Sequence, residues 1–353
     1  MKRLRTTLIA LLLSTTLFVA SPGQACTRAV YQGPAGRILT GRSMDWKLEI
    51  LSNLWIFPRG MERSGAAAGP NSMRWTSKYG SLAVSGYNIA TVDGMNEPGL
   101  VVNALWLVTS KYPENDGRTP RLSLSIWAQY FLDNFATVSE AIEHIRANPF
   151  HVGAGEVPGQ PGRLATIHLS LSDATGDSAI LEWVDGELQI HHSREYQVMT
   201  NEPVFEQQLA ITSYWRQIDG LSFLPGTSRA TDRFARASFY INAIPQTDDP
   251  RIAAAAVFSV MRNVSVPYGI SLSDQPNLST TRWRVVADHK DKLYYFESAI
   301  SPNVFWVDLK KVDFSPNSGV RTLDLGNNQQ IVFSGEVSSQ FVPAEPFVFE
   351  PSD

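Results

Sequence analysis

The chain has 353 residues, of which 43% are hydrophobic, and a formal net charge of −4 at pH 7. A chain of this length can bury a large core as one domain or as two. Its acidic balance and its scattered Lys and Arg residues do not favour nucleic acid or an anionic membrane surface as a partner.

The first segment, residues 1–25, has the pattern of a secretory signal peptide. Three cationic residues stand among the first five positions, and an apolar run covers residues 8–20. Small residues, Gly23 and Ala25, occupy the third and the first position before a cut that falls after Ala25. We therefore expect an exported, periplasmic protein whose mature chain begins at Cys26.

Two alternatives to a cleaved leader stay open. One is an uncleaved membrane anchor, although the apolar run is shorter than the about 20 residues that a transmembrane helix needs. The other is a lipoprotein acylated at Cys26, although such sites normally have Leu where this chain has Gly23. No other segment is apolar enough to predict stable insertion into a membrane.

The mature chain is dominated by strand patterns, which are runs rich in Val, Ile, Leu, Tyr and Trp between turn residues. The predicted strands are 27–32, 38–46, 53–58, 81–94, 100–108, a meander at 165–173, 177–186 and 188–193, a hairpin over 282–298, and 303–309. Helical spacing predicts helices over 122–135, 230–243 and 250–262, and a capping box that starts at Thr137 predicts one more helix after it. A turn is predicted at 95–99 and a loop at 64–72. Strands and helices are grouped, which favours α+β layers in a single domain, residues 26–353.

Cys26 is the only cysteine of the chain. Exported proteins meet oxidising conditions, where cysteines pair, and a single cysteine is either an intermolecular partner or a reactive group. Metal sites of the Cys-x-x-Cys type are excluded, and the six His residues show neither HExxH nor His-x-His spacing. The adjacent His191 and His192 lie in a strand-like run, point to opposite faces, and are interpreted as structural.

An N-terminal cysteine carries its own base. A thiol with a pKa of about 8.5 is mostly protonated at neutral pH, whereas an α-amine with a pKa of about 7.7–8.0 can accept its proton. The amine can then return that proton to a leaving group, as in other N-terminal nucleophiles. Cleavage after Ala25 would create the nucleophile and the base at once.

Such a site also needs a carboxylate for the ammonium, a cation near the sulfur, and two donors for the oxyanion. GRSMDW, residues 41–46, offers Arg42 and Asp45 one strand after Cys26. Residues three apart face opposite sides of an ideal strand, so a bend through Ser43 and Met44 is needed to bring both to one site. Without that bend they are an ordinary exposed Arg and Asp.

With these residues the chain resembles the choloylglycine hydrolases, which are conjugated bile acid hydrolases and penicillin V acylases of the N-terminal nucleophile hydrolase superfamily. The resemblance rests on Cys26 with GRSMDW and, in the family's order, on GMNEPGLVVNALWL (94–107), VMTNEPVF (198–205) and LPGTSRATDRFARASF (224–239). It implies an αββα fold of two antiparallel sheets flanked by helices, and an enzyme that is often a tetramer.

The resemblance also implies a role for each matching residue. Cys26 would be the nucleophile and, through its amine, the base, while Asp45 would bond the amine and Arg42 would lie beside the sulfur. Asn201 would donate its side-chain N–H to the oxyanion, and Arg233 would order the site by pairing with acidic or amide neighbours. Taken alone, without the other motifs, Asn201 is better explained as a turn residue and Arg233 as a helix-surface charge. No metal or cofactor is required.

Two Trp residues set this sequence apart from the bile salt hydrolases. Those enzymes commonly carry Asn in the strand where this chain has Trp106, and a second Trp, Trp46, follows Asp45. An indole cannot replace a carboxamide, because its N–H is a lone donor on a large apolar body; the backbone N–H of residue 106 remains as a donor. Together with the leader pattern of residues 1–25, Trp46 and Trp106 resemble the Gram-negative branch of the choloylglycine hydrolases. That branch is associated with penicillin V and N-acyl homoserine lactones.

We therefore expect an amidohydrolase that cleaves the apolar acyl group of a small amide through a Cys26 thioester. Trp46 and Trp106 would line the acyl slot, unless they are simply core residues. Two alternatives are a conjugated bile acid hydrolase and a non-catalytic periplasmic binding protein or lipoprotein of the same fold.

Overall fold

The structure is a computed structural model that describes residues 26–270 and 279–352. Within these residues it contains strands β1 to β20 and helices α1 to α5. The strands are β1 Thr27–Gln32, β2 Ile38–Trp46, β3 Leu54–Phe57, β4 Glu62–Ser64, β5 Arg74–Thr76, β6 Ser81–Gly86, β7 Ala90–Asn96, β8 Val101–Trp106, β9 Arg121–Ser123, β10 His151–Gly153, β11 Ile167–Ser172, β12 Ser178–Val184, β13 Glu187–His192, β14 Val198–Met199, β15 Thr280–Asp288, β16 Leu293–Ser298, β17 Val304–Asp308, β18 Arg321–Leu323, β19 Gly335–Glu336 and β20 Val342–Pro343. The helices are α1 Leu124–Asn134, α2 Val138–Ala147, α3 Phe205–Gln217, α4 Ala230–Ala243 and α5 Pro250–Asn263.

Two large sheets hold most of the strands. A seven-stranded sheet has the order β14-β1-β2-β15-β16-β17-β19, and a nine-stranded sheet has the order β13-β12-β11-β8-β7-β6-β3-β18-β20. Pairing in both is antiparallel except between β17 and β19. The order brings β1, which directly follows Cys26, next to β2, which carries Arg42 and Asp45, inside the first sheet.

Helices cover the outer face of each sheet. Helices α4 and α5 pack on β1, β2 and β15, while α1 packs on β7 and β8 and α2 packs on β12. One apolar cluster joins the facing sides of the two sheets, with Met44 from one and Leu82 and Val101 from the other. The layers therefore follow the order helix, sheet, sheet, helix, as the resemblance implied. No helix in the described part of the chain is long and apolar enough to cross a membrane.

The interior between the sheets is not purely apolar. On β11, His168, Ser170 and Ser172 alternate with leucines and are all buried. Ser172 contacts Thr40 of β2 through their hydroxyl oxygens, 2.8 Å apart, so the two sheets also meet through polar groups. This polar strip runs along the side of the sheets where the candidate site lies.

Most predicted elements are confirmed, and β1, β2 and α4 have the predicted bounds. The run 81–94 is two strands, because Tyr87 and Asn88 take left-handed backbone conformations with φ of 54° and 52° and reverse the chain between β6 and β7. Helix α3 was not predicted. Only three of its side chains are buried, so its sequence lacks a strong helical stripe of apolar residues.

Candidate active site

Cys26 lies directly before β1 and is 2% exposed. The backbone N–H of Asp45 lies 3.5 Å from its sulfur, and the sulfur lies 3.7 Å from the carbonyl oxygen of Asp45. Arg42 Nη2 lies 3.9 Å from the same sulfur. The sulfur is thus surrounded by the residues that the GRSMDW motif singles out.

A β-bulge lies on the neighbouring strand, opposite these residues. In the pairing of β2 with β15, Asp45 lies opposite Thr281 and Met44 lies opposite Trp283, so Arg282 is the extra residue. A bulge increases the local twist and re-aims side chains. The irregularity thus lies opposite the Met44–Asp45 peptide, next to the Ser43–Met44 position where the sequence predicted a bend.

Arg42 is fully buried and spans the gap between the sheets. Its Nη2 donates to the carbonyl oxygen of Ala104 at 2.9 Å, and its Nη1 lies 3.5 Å from Oδ2 of Asp93. The guanidinium also stacks over the ring of Trp283, 4.5 Å from its centroid. These contacts hold the cation beside the sulfur and partly neutralise its charge.

Burial raises the pKa of the Cys26 thiol, and the nearby Arg42 and Arg233 only partly oppose this effect. The thiol in this chain is therefore protonated at neutral pH and not a preformed thiolate. A nucleophile in this state needs a base to remove its proton.

Asp45 has one carboxylate oxygen bonded and one unused. Its Oδ1 accepts a hydrogen bond of 2.5 Å from the Thr281 hydroxyl, whereas Oδ2 is buried with no hydrogen-bond partner among the described residues. Burial raises the pKa of this carboxyl to about 6, although Arg233, the Thr281 hydroxyl and Arg42 act in the opposite direction. An unpaired buried oxygen of this kind is a vacant acceptor for a cation.

Asn201 follows β14, which pairs with β1. Its Oδ1 accepts from the Cys26 nitrogen at 2.6 Å and from Arg233 Nη2 at 2.9 Å. Its Nδ2 donates to the carbonyl oxygen of Trp106 at 2.7 Å. The two donors fix which end of the amide carries oxygen, so Nδ2 points away from the Cys26 nitrogen.

Arg233, on α4, ties the start of β1 to Asn201. Its Nη1 donates to the Cys26 carbonyl oxygen and to the Thr27 hydroxyl, both at 2.6 Å. Its Nε donates to the carbonyl oxygen of Ser228 at 2.9 Å. The residue is buried and pairs with an amide neighbour and backbone oxygens; it is not a helix-surface charge.

The Cys26 nitrogen is bonded to a different residue from the one expected. The resemblance assigned it to Asp45, but its hydrogen bond goes to Asn201 Oδ1. The physical reason is that the nitrogen of the uncleaved chain is a peptide amide with a single hydrogen. That hydrogen is used for Asn201 Oδ1, and Oδ2 of Asp45 has no hydrogen-bond partner among the described residues.

Trp106 lies at the end of β8, where the sheet opens. The pairing of β8 with β7 ends at Asn103, so the carbonyls of Ala104 and Trp106 are free to accept from Arg42 and Asn201 of the other sheet. In a strand the N–H and C=O of one residue point to the same side. The Trp106 N–H is therefore directed to the side on which Asn201 Nδ2 lies.

A largely apolar cavity opens onto Cys26. It encloses about 810 Å³ of space, including its opening to solvent, and Trp46, Trp106, Met44 and Ile50 are among its lining residues. The two indole rings lie 5.2 Å apart and tilted by 55°. Trp46 donates from Nε1 to the Tyr87 hydroxyl at 2.7 Å, which fixes its ring. Both Trp residues thus line a cavity as well as packing in the core.

Some residues around the site were not singled out by the sequence. Thr281 bonds Asp45, and a buried pair of His168 and Glu182 lies behind Asn201, with His168 bonded to the Thr200 carbonyl. A signal for His168 existed, because it lies on the polar side of the alternating segment IHLSLS. Thr281 has no such signal. Within residues 26–270 and 279–352 no cluster of His, Cys, Asp and Glu side chains is arranged to hold a metal ion.

Known proteins match the chain along most of its length. Residues 26–326 match the model of the linear amide C–N hydrolases, choloylglycine hydrolase family. A penicillin V acylase of Pectobacterium atrosepticum is 50% identical over a match that is 370 residues long. The match covers 99% of this chain and 98% of that protein.

Solved structures agree with these matches. The structure of penicillin V acylase from Agrobacterium tumefaciens has a TM-score of 0.85 at 58% identity, covering 92% of this chain and 99% of that one. A variant of conjugated bile acid hydrolase from Clostridium perfringens has a TM-score of 0.71 at 22% identity, covering 87% and 99%, and shares the fold. The chain therefore belongs to the choloylglycine hydrolase family, whose members are hydrolases acting on the C–N bonds of linear amides.

Proposed function

We propose that this enzyme removes the phenoxyacetyl group of penicillin V and the acyl group of N-acyl homoserine lactones through a thioester on Cys26. One observation carries the proposal: an apolar cavity walled by Trp46 and Trp106 ends at Cys26. An aromatic ring or a fatty acyl chain fits such a wall, because both are apolar and flat or slender. The similarity to two penicillin V acylases supports the same substrate class.

The proposal requires that the chain be exported and cut after Ala25, which would make Cys26 the free N-terminus in the periplasm. The leader pattern of residues 1–25 supports this maturation, and so does the family match, which starts at residue 26. Cleavage adds hydrogens to the Cys26 nitrogen. The new α-amine would bond Asn201 Oδ1, as the amide does, and would have a further hydrogen for Oδ2 of Asp45, which has no partner among the described residues. By family resemblance we also expect a homo-oligomer, a tetramer.

In the acylation step, the α-amine accepts the thiol proton and the sulfur attacks the amide carbonyl carbon. The carbonyl oxygen takes up the electron pair and becomes an oxyanion. Asn201 Nδ2 uses one hydrogen for the Trp106 carbonyl and has a second for the oxyanion. The Trp106 N–H is the second donor, and two preorganised donors are the usual equipment of such a site.

The C–N bond then breaks, and the leaving nitrogen takes the proton that the amine had accepted. Cys26 is left as a thioester with a neutral amine beside it. That amine accepts a proton from water while the water oxygen attacks the thioester carbon. The carboxylic acid leaves, the sulfur regains its proton, and no metal or cofactor takes part.

The conjugated bile acid hydrolase activity is the alternative. The experiment is a comparison of kcat/KM for penicillin V, a series of N-acyl homoserine lactones and glycocholate, using purified mature enzyme. We expect penicillin V and the lactones to be hydrolysed at least about tenfold better than glycocholate, the ratio given by about 1.4 kcal/mol of transition-state binding. A preference for glycocholate would make the bile acid alternative correct. Loss of all amide hydrolysis with binding retained would favour the non-catalytic alternative.

A further inference from the structure

A buried pair of ionisable residues lies behind Asn201, and the mechanism above does not use it. His168 on β11 and Glu182 on β12 face each other, with Nδ1 of the ring 2.9 Å from Oε1 of the carboxylate. The other ring nitrogen, Nε2, lies 2.8 Å from the carbonyl oxygen of Thr200. Thr200 is the residue directly before Asn201, so the pair contacts the backbone that carries the catalytic amide.

The same pair also holds the far end of this segment. Glu182 Oε2 accepts from the backbone N–H of Phe205, the first residue of α3, at 2.9 Å. His191 Nε2 lies 3.3 Å from that oxygen. Residues 200–205 are thus fastened at both ends to the two strands of the nine-stranded sheet, while Asn201 projects from between the two attachments towards Cys26.

The proton positions in this pair are determined by its neighbours. A backbone carbonyl only accepts, so Nε2 of His168 carries a hydrogen for Thr200. Burial opposes ionisation of Glu182, but hydrogen bonds from His168 and His191 lower its pKa to about 2. The Glu182 carboxylate is then the acceptor and His168 Nδ1 is the donor. The Glu182 carboxylate, the His168 ring and the Thr200 carbonyl therefore all have hydrogen-bond partners.

We propose that His168 and Glu182 are positioning residues, which hold residues 200–205 so that Asn201 Nδ2 is aimed at the oxyanion. The inference rests on the oxyanion role proposed for Asn201. The reason such support is needed is that β14 ends at Met199. Asn201 therefore lies outside the strand ladder, and its side chain is aimed only as well as its backbone is held.

The test is a double-mutant cycle of His168→Phe and Asn201→Ala, with kcat and KM for penicillin V measured on mature enzyme. Removing an oxyanion donor costs about 10²–10³ in kcat, and misplacing one by about 1 Å costs up to about 10²-fold. We expect His168→Phe to lower kcat about 10- to 100-fold with little change in KM. In the Asn201→Ala background the same change should lower kcat by less than about threefold, because the group it positions is gone.

His289 provides a matched control. It is buried like His168 and bonded through both ring nitrogens, Nδ1 to the Gly99 carbonyl at 2.7 Å and Nε2 to the Thr40 hydroxyl at 2.8 Å, and neither partner bonds Asn201. We expect His289→Phe to lower the midpoint of thermal unfolding as His168→Phe does and to leave kcat close to the parent value. Equal losses of kcat in both variants would contradict the positioning role.

Glu182→Gln and Glu182→Leu test the pair from its other side and remain informative if His168→Phe does not fold. The Gln amide can donate to Nδ1 of a neutral His168, whose Nε2–H still serves Thr200, while its oxygen accepts from Phe205. We expect Glu182→Gln to stay within about threefold of the parent kcat and Glu182→Leu to lose as much as His168→Phe. Equal loss in both Glu182 variants would overturn the inference.

The cycle also separates this inference from the proposed function. If Asn201→Ala leaves turnover unchanged, the oxyanion role itself is wrong. If Asn201→Ala is slow while His168→Phe turns over like the parent, only the positioning role is wrong. Additive losses in the double variant would show that His168 acts by a route other than Asn201.

Discussion

Arg233 Nη2 donates to the side-chain oxygen of Asn201 at 2.9 Å, and this bond helps to fix the orientation of the amide. With its oxygen held by Arg233 and by the Cys26 nitrogen, the amide can only turn its NH₂ group towards the Trp106 carbonyl. One hydrogen of that group is left for a developing oxyanion.

Replacing Asn201 with Asp tests this orientation with almost no change in shape. The new carboxylate would place an oxygen against the Trp106 carbonyl oxygen and would offer the oxyanion a negative charge where a donor is needed. We expect kcat for penicillin V to fall about 10²–10³-fold, the usual cost of losing an oxyanion donor. Steady-state kinetics on the folded variant checks this, and turnover near the parent level would contradict it.

Trp106 has two separable parts, a backbone N–H that we propose as an oxyanion donor and an indole in the cavity wall. Trp106→Ala keeps the first and removes the second. We expect KM for penicillin V to rise about tenfold, which corresponds to about 1.4 kcal/mol of lost apolar contact. For a substrate with an acetyl group in place of phenoxyacetyl, kcat/KM should change little.

Trp55 is the matched control for this change. Its exposed fraction of 7% equals that of Trp106, but it packs with Phe57 and Phe347 in a different apolar cluster. Trp55→Ala is expected to lower stability and to leave the ratio of phenoxyacetyl to acetyl turnover unchanged. If both variants alter that ratio equally, Trp106 is a core residue and not part of the acyl slot.

The raised pKa of Asp45 predicts that the stability of the uncleaved chain depends on pH. Its pKa in the folded state is about 6, against an ordinary value of 3.8, because it is buried. Between these values the unfolded chain releases a proton that the folded chain retains, so stability falls as pH rises from about 4 to about 6. At 1.36 kcal/mol per pKa unit the fall amounts to about 3 kcal/mol.

The measurement is the free energy of unfolding in urea between pH 4 and pH 7, for the uncleaved chain and for its Asp45→Asn variant. The free energy of unfolding of the parent, relative to that of the variant, should decrease by this amount as pH rises, so the parent is relatively most stable at the acidic end. In the proposed mature enzyme the α-amino group, protonated over this pH range, would pair with Oδ2, so the fall should shrink. If the difference in free energy of unfolding is independent of pH in the uncleaved chain, the pKa of Asp45 is not raised.

Substitution of the sulfur tests the nucleophile. We expect Cys26→Ala to abolish turnover while circular dichroism stays that of the parent, because the sulfur makes only long contacts with Asp45 and Arg42. Cys26→Ser should retain little activity, because an alcohol is a far weaker nucleophile than a thiol at neutral pH. Parent-like activity in either variant would remove the nucleophilic role from Cys26.

The sequence was sufficient for elements with strong local patterns and for the residues within family motifs. Strand β2 and helix α4 have their predicted bounds, since the first is a run of strand-forming residues that follows turn residues and the second has helical spacing. Arg42 and Asp45 both contact the Cys26 sulfur, and the bulge opposite Asp45 is formed by Arg282, which is far away in the chain. Pairings of this kind follow from strand register, which a single sequence does not determine.

The sequence also did not predict the buried polar pair of His168 and Glu182 behind the site. His168 and Glu182 meet because β11 and β12 pair in the register that places Leu169 opposite Leu181. The alternation in IHLSLS marks His168 as belonging to a polar face, and polar faces are usually exposed. Here a second sheet covers that face, so the residue is buried and bonded instead.

The central claim is that Cys26 acts through its own α-amine, and the most direct test is the intact mass and N-terminal sequence of the exported protein. The account predicts a chain that begins Cys-Thr-Arg with an unmodified amine and that hydrolyses penicillin V. A chain that retains residues before Cys26, or whose Cys26 carries a lipid, would have no free amine at this position. That result, together with full activity, would contradict the mechanism.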